Sequence, residues 1–532
     1  MKKILKITTA AAMLGVSLAP QAVMAAAPAP ILHNDNATYK FGDWYHGAIP
    51  PNVDSNKPVI LFVQGLHSDY TTWYNSDGFY DAAYNAGYRT AFVQLKDADG
   101  GGGNMWTNGP VLANVIQKVR TYYGVNKINI VAHSKGGIDT QTALVHYGAY
   151  PYVNLVHQLS TPNKGSEIAD MAYSSWTWWL AAIMGQRDDA VYSLQTSYMS
   201  NFRNQTDGRS ENNYTRTYMS GGTGDDGFFS ATYYSRAFLP GEDDGAVAIY
   251  SAFGLPYGYY GFTDNGSDRL SHTEMRYASE TWWQVRPRLT TTSYYGAVAP
   301  NMLASKDLIS PTASVEESSN YILRGGEIAG TATDTFTLES GLNAIRLDLM
   351  TASKATQVTL VSPSGKTYTG TASDGSTDDL AFAKASHNLF SIDKPEAGTW
   401  TVQMEGANDA YFMNAVLEGG SQVKVKANKK VHSKQDATVS LSLALDGAKV
   451  DGKQVKIAKL NKAEKNGTSK KSDVELKADS KGGVTATFVK PTEAGVYNLS
   501  FDVVGTNAKG EAVTRSVNYN FAVTDEAGNL PK

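Results

Sequence analysis

The first group in this sequence with the means to do covalent chemistry is a serine set between an apolar run and a pair of glycines. In Ile130-Val131-Ala132-His133-Ser134-Lys135-Gly136-Gly137 a strand-like stretch ends at the serine, and the glycines open a helix-like stretch through Asp139, Ala143 and Val145. A serine on so tight a strand-to-helix turn stands above the sheet edge. The N–H groups at the helix start favour the negative charge that develops on an attacked carbonyl. Ala132 replaces the first glycine of the usual G-x-S-x-G, a change that still suits close packing. A hydroxyl needs a base, and the base needs a carboxylate to orient it. The chain has no cysteine, which excludes thiolate nucleophiles, disulfides and iron–sulfur ligation.

Elements able to hold such a serine surround it. Residues 58–63, 90–93 and 128–132 read as strands buried on both faces, with helix-like stretches at 80–86 and 111–123 between them. Strand, helix, strand, helix, strand is the pattern of a parallel α/β sheet. A second segment, Leu159-Ser160-Thr161-Pro162-Asn163-Lys164-Gly165-Ser166, follows the next strand. On these two motifs, residues 58–280 resemble bacterial α/β-hydrolases of the secreted lipase type, in which A-H-S-x-G is a familiar elbow and T-P-H-x-G-S a familiar turn. Asn163 stands where that turn commonly has histidine. The resemblance implies an α/β-hydrolase fold, a mostly parallel sheet with flanking helices and a cap or lid. It also implies a carboxylic ester hydrolase, a lipase or esterase, with Ser134 as nucleophile.

Chain order in that fold is serine, acid, histidine. Among nine histidines only His272, His387 and His432 lie beyond a suitable acid, and the last two fall in the β-rich tail, so His272 is the expected base. His133 adjoins Ser134 too closely to serve and is expected to pack or orient. Gly241-Glu242-Asp243-Asp244-Gly245-Ala246-Val247 resembles the D-G-x-V turn that carries the acid in related lipases, which selects Asp244. Asp243 is the fallback, and Asp225 and Asp226 are a further alternative. The oxyanion donors are expected to be the backbone N–H groups of Lys135 and of Leu66, in Gln64-Gly65-Leu66-His67-Ser68. Lipases usually have His-Gly where this chain has Gln64-Gly65, which leaves a role for His67 open.

Trp176, Trp178, Trp179, Leu180, Ile183 and Met184 make residues 171–185 apolar enough for a lid over an acyl pocket, or equally for a buried cap. Gly100–Gly103 lacks the lysine and spacing of a phosphate loop and reads as a turn. No organic cofactor is implied. Some related lipases hold a structural calcium, but no ligand spacing here identifies one.

The 532 residues hold more than one domain, and 42% hydrophobic content excludes wholesale disorder. Net charge of −4 argues against a chain-wide nucleic-acid footprint. Residues 1–27 have the form of an export signal: Lys2, Lys3 and Lys6, an apolar run from Ala10 to Val16, and Val23-Met24-Ala25 as exit site. No later run is long enough to span a bilayer, so a secreted protein, with attachment to a cell surface as an added role, is expected. The catalytic domain is expected at 28–300 and a Ser/Thr-rich linker at 301–320. A β-sandwich at 321–420 resembles those appended to some secreted hydrolases and proteases. An immunoglobulin-like, lysine-rich β domain is expected at 421–532. That last stretch has 19 Lys plus Arg against 12 Asp plus Glu, whereas residues 26–420 have 25 against 39. The two β domains are expected to fold apart from the catalytic core and to bind a cell wall or polymer. Two alternatives to the lipase reading are extracellular polyester depolymerisation and, outside enzymes, a cell-surface adhesion role.

Overall fold

The computed structural model describes residues 26–34, 40–75, 77–99, 102–177, 187–227, 230–290, 315–374, 385–427, 429–451, 457–466, 468–478 and 484–532. The export signal expected at 1–27 lies almost wholly outside these residues. Trp178, Trp179, Leu180, Ile183 and Met184 of the expected lid, Gly100, and most of the expected linker also lie outside them.

The N-terminal half is built on an eight-stranded sheet. Its strands are β1 (Ile31–His33), β2 (Trp44–His46), β3 (Ile60–Val63), β4 (Thr90–Val93), β5 (Ile128–His133), β6 (Val153–Leu159), β7 (Arg216–Gly221) and β8 (Tyr259–Thr263). Their spatial order is β1-β2-β4-β3-β5-β6-β7-β8. Strands β3 to β8 pair in parallel, while β1 and β2 add an antiparallel edge that the sequence reading did not include. Alternate residues of β3 face opposite layers. Leu61 and Val63 pack with Leu112 and Val115, whereas Ile60 and Phe62 pack with Phe79, Trp282 and Val285. Covered on both sides, β3 is apolar throughout and β4 is apolar but for the buried Thr90.

The helices over these faces include α1 (Phe79–Asn85), α2 (Met105–Tyr123) and α3 (Gly136–Val145). Helix α2 starts six residues before the expected 111 because Asn104 caps it, accepting from the Thr107 N–H at 2.9 Å. Pro110 lies inside the helix, and the Trp106 carbonyl four residues back accepts instead from the Tyr147 hydroxyl at 3.1 Å.

Strand order reverses between β4 and β5 about β3, so the loops after β3 and β5 diverge at their C-terminal ends. Open α/β sheets bind ligands at such a switch point. Gln64–Ser68 follows β3 and Ser134 follows β5.

The C-terminal half is antiparallel. One sheet contains β10 (Tyr321–Leu338) and β11 (Ala344–Thr351), both paired with the long strand Gly398–Glu418. A second sheet holds the hairpin Gly495–Asn507 with Ala512–Val523. Two expectations need correction. Residues 315–319, placed in the linker by sequence, form β9 (Val315–Ser319), which pairs with Val423–Ala427 of the second sheet. The β region also does not stand apart. Arg515, fully buried, is paired with Glu339 and ties the two sheets together. A single apolar cluster then joins Tyr173, Tyr192 and Tyr198 of the N-terminal half to Leu323, Phe412 and Val496 of the β region. A Ser/Thr-rich linker composition says nothing about what the following strands will cover, which is why the sequence missed this contact.

Candidate active site

Ser134 has φ of +52°, in the left-handed region that non-glycine residues avoid. Its N–H donates to the Leu159 carbonyl at 2.8 Å, fixing the turn to the end of β6. The glycines after it are required by close approach. A Cβ on Gly136 would lie 2.3 Å from the Gln64 carbonyl oxygen, and one on Gly137 2.0 Å from the Thr161 hydroxyl. His67 and Ser160, on the loops after β3 and β6, are also left-handed. Strained backbone thus gathers at the C-terminal ends of three neighbouring strands, as it does at functional sites.

Asp244 and His272 lie on the loops flanking β8. The His272 ring presents Nδ1–H to Asp244 Oδ2 at 2.9 Å. The other carboxylate oxygen accepts from the Ala246 and Val247 N–H groups at 3.0 and 2.7 Å, and the His272 N–H donates to the Asp244 carbonyl at 2.9 Å. With Nδ1–H engaged, Nε2 is the ring atom with a lone pair to take a proton. Ser134 and His272 line one cavity, together with Leu66, Ile168, Val191 and Leu194. Ser134 is 5% exposed and His272 2%, so both side chains are shielded from bulk solvent.

The other candidates fall elsewhere. Asp243 pairs with Arg236 and accepts from the Gly245 N–H, and burial pushes its carboxyl up to about 7. Asp225 also pairs with Arg236, at 2.6 Å, while Asp226 is exposed. His387 is buried against Asp348 in the β region, and His432 is buried there as well. His133 orients, as expected: its Nε2–H donates to the His272 carbonyl at 2.9 Å. Burial, with His272 and Arg276 nearby, holds its imidazole well below the usual range and therefore neutral.

Leu66, on the turn after β3, lines the same cavity as Ser134, and Lys135, directly after Ser134, is the N-cap of α3. Gln64 is a brace rather than a histidine substitute. Its amide donates to the Val93 carbonyl at 2.9 Å and accepts from the Leu95 N–H at 2.8 Å, joining the ends of β3 and β4. Asn163 is likewise structural, bonded to Gln158 Oε1 and the Ala252 carbonyl. His67 contacts the Asp188 carboxylate. Burial favours the neutral acid there, but His67, the Val191 N–H and the Lys135 cation together hold Asp188 below its ordinary value.

Sequence reasoning missed Asp264. Its carboxylate accepts from Thr223 N at 2.7 Å and Leu270 N at 3.0 Å, shaping the loop that carries His272. No spacing rule marks an aspartate eight residues before a histidine. Among the described residues no three His, Cys, Asp or Glu side chains gather as a metal site, so no residues are assigned to calcium. Among them, too, no helix is long and apolar enough to cross a membrane.

The β region covers the rim of this cavity. Helices α4 (Glu167–Ala172) and α5 (Asp189–Ser193) contribute Ile168, Ala169 and Val191 to its wall, and α6 (Thr196–Thr206) follows α5. Gln195, between α5 and α6, accepts from Asn498 at 2.8 Å and Asn520 at 3.2 Å, while Asn520 Oδ1 accepts from the Ser197 N–H at 2.8 Å. Ser175 N donates to Ser500, and Asn461 donates to the Tyr173 carbonyl. The described part of the expected lid, residues 171–177, is thus held beneath the β region. Trp176 is partly buried in the shared apolar cluster.

No family model matches the sequence, and no curated relative does. Solved structures do match. A lipase of Bacillus licheniformis, BlEst2, in its propeptide form is 27% identical over 91% of this chain and 98% of its own, with a TM-score of 0.71. The same lipase in mature form is 37% identical over 47% of this chain and 99% of its own, with a TM-score of 0.43. Lipase B of Aspergillus fumigatus is 20% identical over 32% of this chain and 40% of its own, with a TM-score of 0.26.

Proposed function

This chain belongs to the lipase/esterase-type α/β-hydrolases, with a β-rich C-terminal region, and from that premise we propose that it is an exported serine carboxylester hydrolase acting through Ser134, His272 and Asp244. The observation that carries this reading is the His272 Nδ1–Asp244 contact of 2.9 Å at the wall of the cavity that also holds the strained Ser134. Ser134 Oγ attacks the ester carbonyl while His272 Nε2 takes its proton. Asp244 holds the imidazole in the tautomer with Nε2 open and stabilises the cation that forms. The tetrahedral oxyanion accepts from the backbone N–H groups of Leu66 and Lys135. Collapse expels the alcohol, which takes the proton from His272. Water, deprotonated by His272, then cleaves the acyl-enzyme to the free acid. No step uses a cofactor or metal.

The cavity walls near Ser134 are largely apolar, which suits the acyl part of an ester. Residues 1–27 would direct export. Because the β region shares an apolar cluster with the cavity rim, and because the similar BlEst2 is named in a propeptide form, we propose that the β region is a removable covering segment.

The test is hydrolysis of p-nitrophenyl acetate and emulsified tributyrin by the full chain, before and after cleavage within 291–314. Acetate turnover by the intact chain, with tributyrin turnover rising after cleavage, supports the reading. Absence of turnover in both states would overturn it.

A further inference from the structure

Lys135 contributes more than its peptide group. Its side chain leaves the turn after Ser134 and is 1% exposed. The ammonium sits between Asp139 Oδ2 at 2.8 Å and Asp97 Oδ2 at 3.0 Å. The Asn108 amide bridges the same two oxygens, at 2.6 Å to Asp97 and 3.0 Å to Asp139, and accepts from the Lys96 N–H at 3.2 Å. Four pieces of chain thus meet on one cation: the turn after Ser134, helix α3, the loop after β4 and helix α2.

We propose that Lys135, Asp97, Asp139 and Asn108 are a buried positioning cluster for the oxyanion hole, fixing the Lys135 peptide N–H through the side chain of that same residue. The proposal rests on the esterase reading of Ser134. Three observations favour positioning over simple packing.

First, one lysine against two aspartates leaves the cluster with surplus negative charge. Desolvating such a group is expensive, and well-packed apolar side chains serve fold stability as well or better. Burial pushes the Asp139 carboxyl up, with Asp97 adding to it and Lys135 opposing. The two carboxylates in turn hold the Lys135 ammonium protonated against its own burial.

Second, the anchored residue is the one whose N–H meets the developing oxyanion. A displacement of that donor by about 1 Å is felt in the transition state far more than in the ground state.

Third, the residue next to the other expected donor is anchored by a carboxylate of its own. His67, next to Leu66, contacts Asp188, and the Lys135 cation helps to hold Asp188 ionised. Asp188 also accepts from the Val191 N–H at 2.9 Å, so its position is set independently of His67.

The test compares full-length Lys135→Met with the charge-free triple variant Lys135→Met, Asp97→Asn, Asp139→Asn, using p-nitrophenyl acetate. Lys135→Met leaves two buried carboxylates without their cation and is expected to lower both Tm and kcat. The triple variant removes the stranded charges, so its Tm is expected to recover towards wild type. Its kcat is expected to stay down by about 100-fold, the scale of a lost oxyanion donor, with KM changed less than about threefold, the sign of an interaction made only in the transition state. Affinity for a boronic acid analogue should fall with kcat. Recovery of kcat along with Tm would overturn the proposal and leave the cluster a stability feature alone. Unchanged kcat in Lys135→Met would overturn it as well. Failure of the esterase reading would appear differently, as no turnover by the wild-type chain, and would overturn both.

Discussion

Both carboxylate oxygens of Asp244 are engaged, one by the His272 ring and one by two backbone N–H groups. Asp244→Asn therefore either turns its amide nitrogen to the ring, which moves the imidazole proton to Nε2 and removes the base, or turns that nitrogen against the Ala246 and Val247 N–H donors. Ester turnover is expected to fall about 10⁴-fold. Ser134→Ala and His272→Ala should each cost about 10⁶-fold, and combining them should add little, since the three act as a unit. Circular dichroism and kcat on the same preparations check this. Near wild-type activity in His272→Ala would assign the base elsewhere. At this scale the sequence was most informative where chemistry is local. Ser134, Gly136 and Gly137 announce a tight turn because only small residues fit beside Gln64 and Thr161. The choice of Asp244 over Asp243 also came from a local turn pattern. Partners distant in sequence were not legible: His67 meets Asp188 across 121 residues, and Asp97 meets Lys135 across 38.

At the scale of elements, short apolar runs located β3, β4 and β5 because strands buried on both faces are largely apolar, with Thr90 and Asn129 as polar interruptions. The same reading misjudged the start of α2, which runs through Pro110; the backbone bond lost there is compensated by Tyr147, a contact no pattern shows. The contact of α4 and α6 with the β region carries its own titration. Asp170 of α4 accepts from Thr196 N and Oγ1, and the Thr196 hydroxyl also accepts from Lys430 of the β region at 2.8 Å. Burial raises the Asp170 carboxyl from an ordinary 3.8 to about 7, against the opposing pull of Lys430 and the Thr196 bonds, with Glu167 adding to the rise. For an acid whose value is raised, the stabilising contribution is complete below its ordinary value and is lost as pH climbs through the raised one. Docking of the β region should therefore weaken between about pH 4 and pH 7. Hydrogen-exchange protection in 189–206 and 512–523, corrected for the intrinsic rise of exchange with pH, should be lower at pH 8 than at pH 5, and Asp170→Asn should flatten that dependence. Equal protection at both pH values in the wild type would contradict it. Asn520→Ala, by leaving the Ser197 N–H and the Gln195 side chain short of a buried partner, should cost about 1–3 kcal/mol in a denaturation midpoint.

For the whole molecule, the two halves form one structure in which the β region closes the cavity rim. Composition shifts near residue 300 marked the change from α/β to β texture, because strand-rich sequence differs from helix-rich sequence residue by residue. They could not show that Leu323, Phe412 and Val496 would bury the tyrosines of the N-terminal half, since an apolar residue carries no record of its partner. The expected surface-binding role of the lysines stands as a proposal, tempered by pairing. Lys424, Lys429, Lys459 and Lys462 each lie within 3 Å of an acidic oxygen. What charge is left over should bind anionic cell-wall polymer weakly and in a salt-sensitive way, because screening acts over about 8 Å at physiological ionic strength. Sedimentation with such polymer at low and high salt checks this, and salt-independent retention would point to another binding face.

The account turns on one nucleophile served by one base. Reaction of the intact chain with diethyl p-nitrophenyl phosphate, followed by peptide mass spectrometry, reads this directly. The result expected is a single diethylphosphoryl group on Ser134, ester hydrolysis lost in proportion to its formation, and labelling strongly slowed in His272→Ala. An adduct on a different residue, or ester turnover that persists once Ser134 is fully modified, would contradict it.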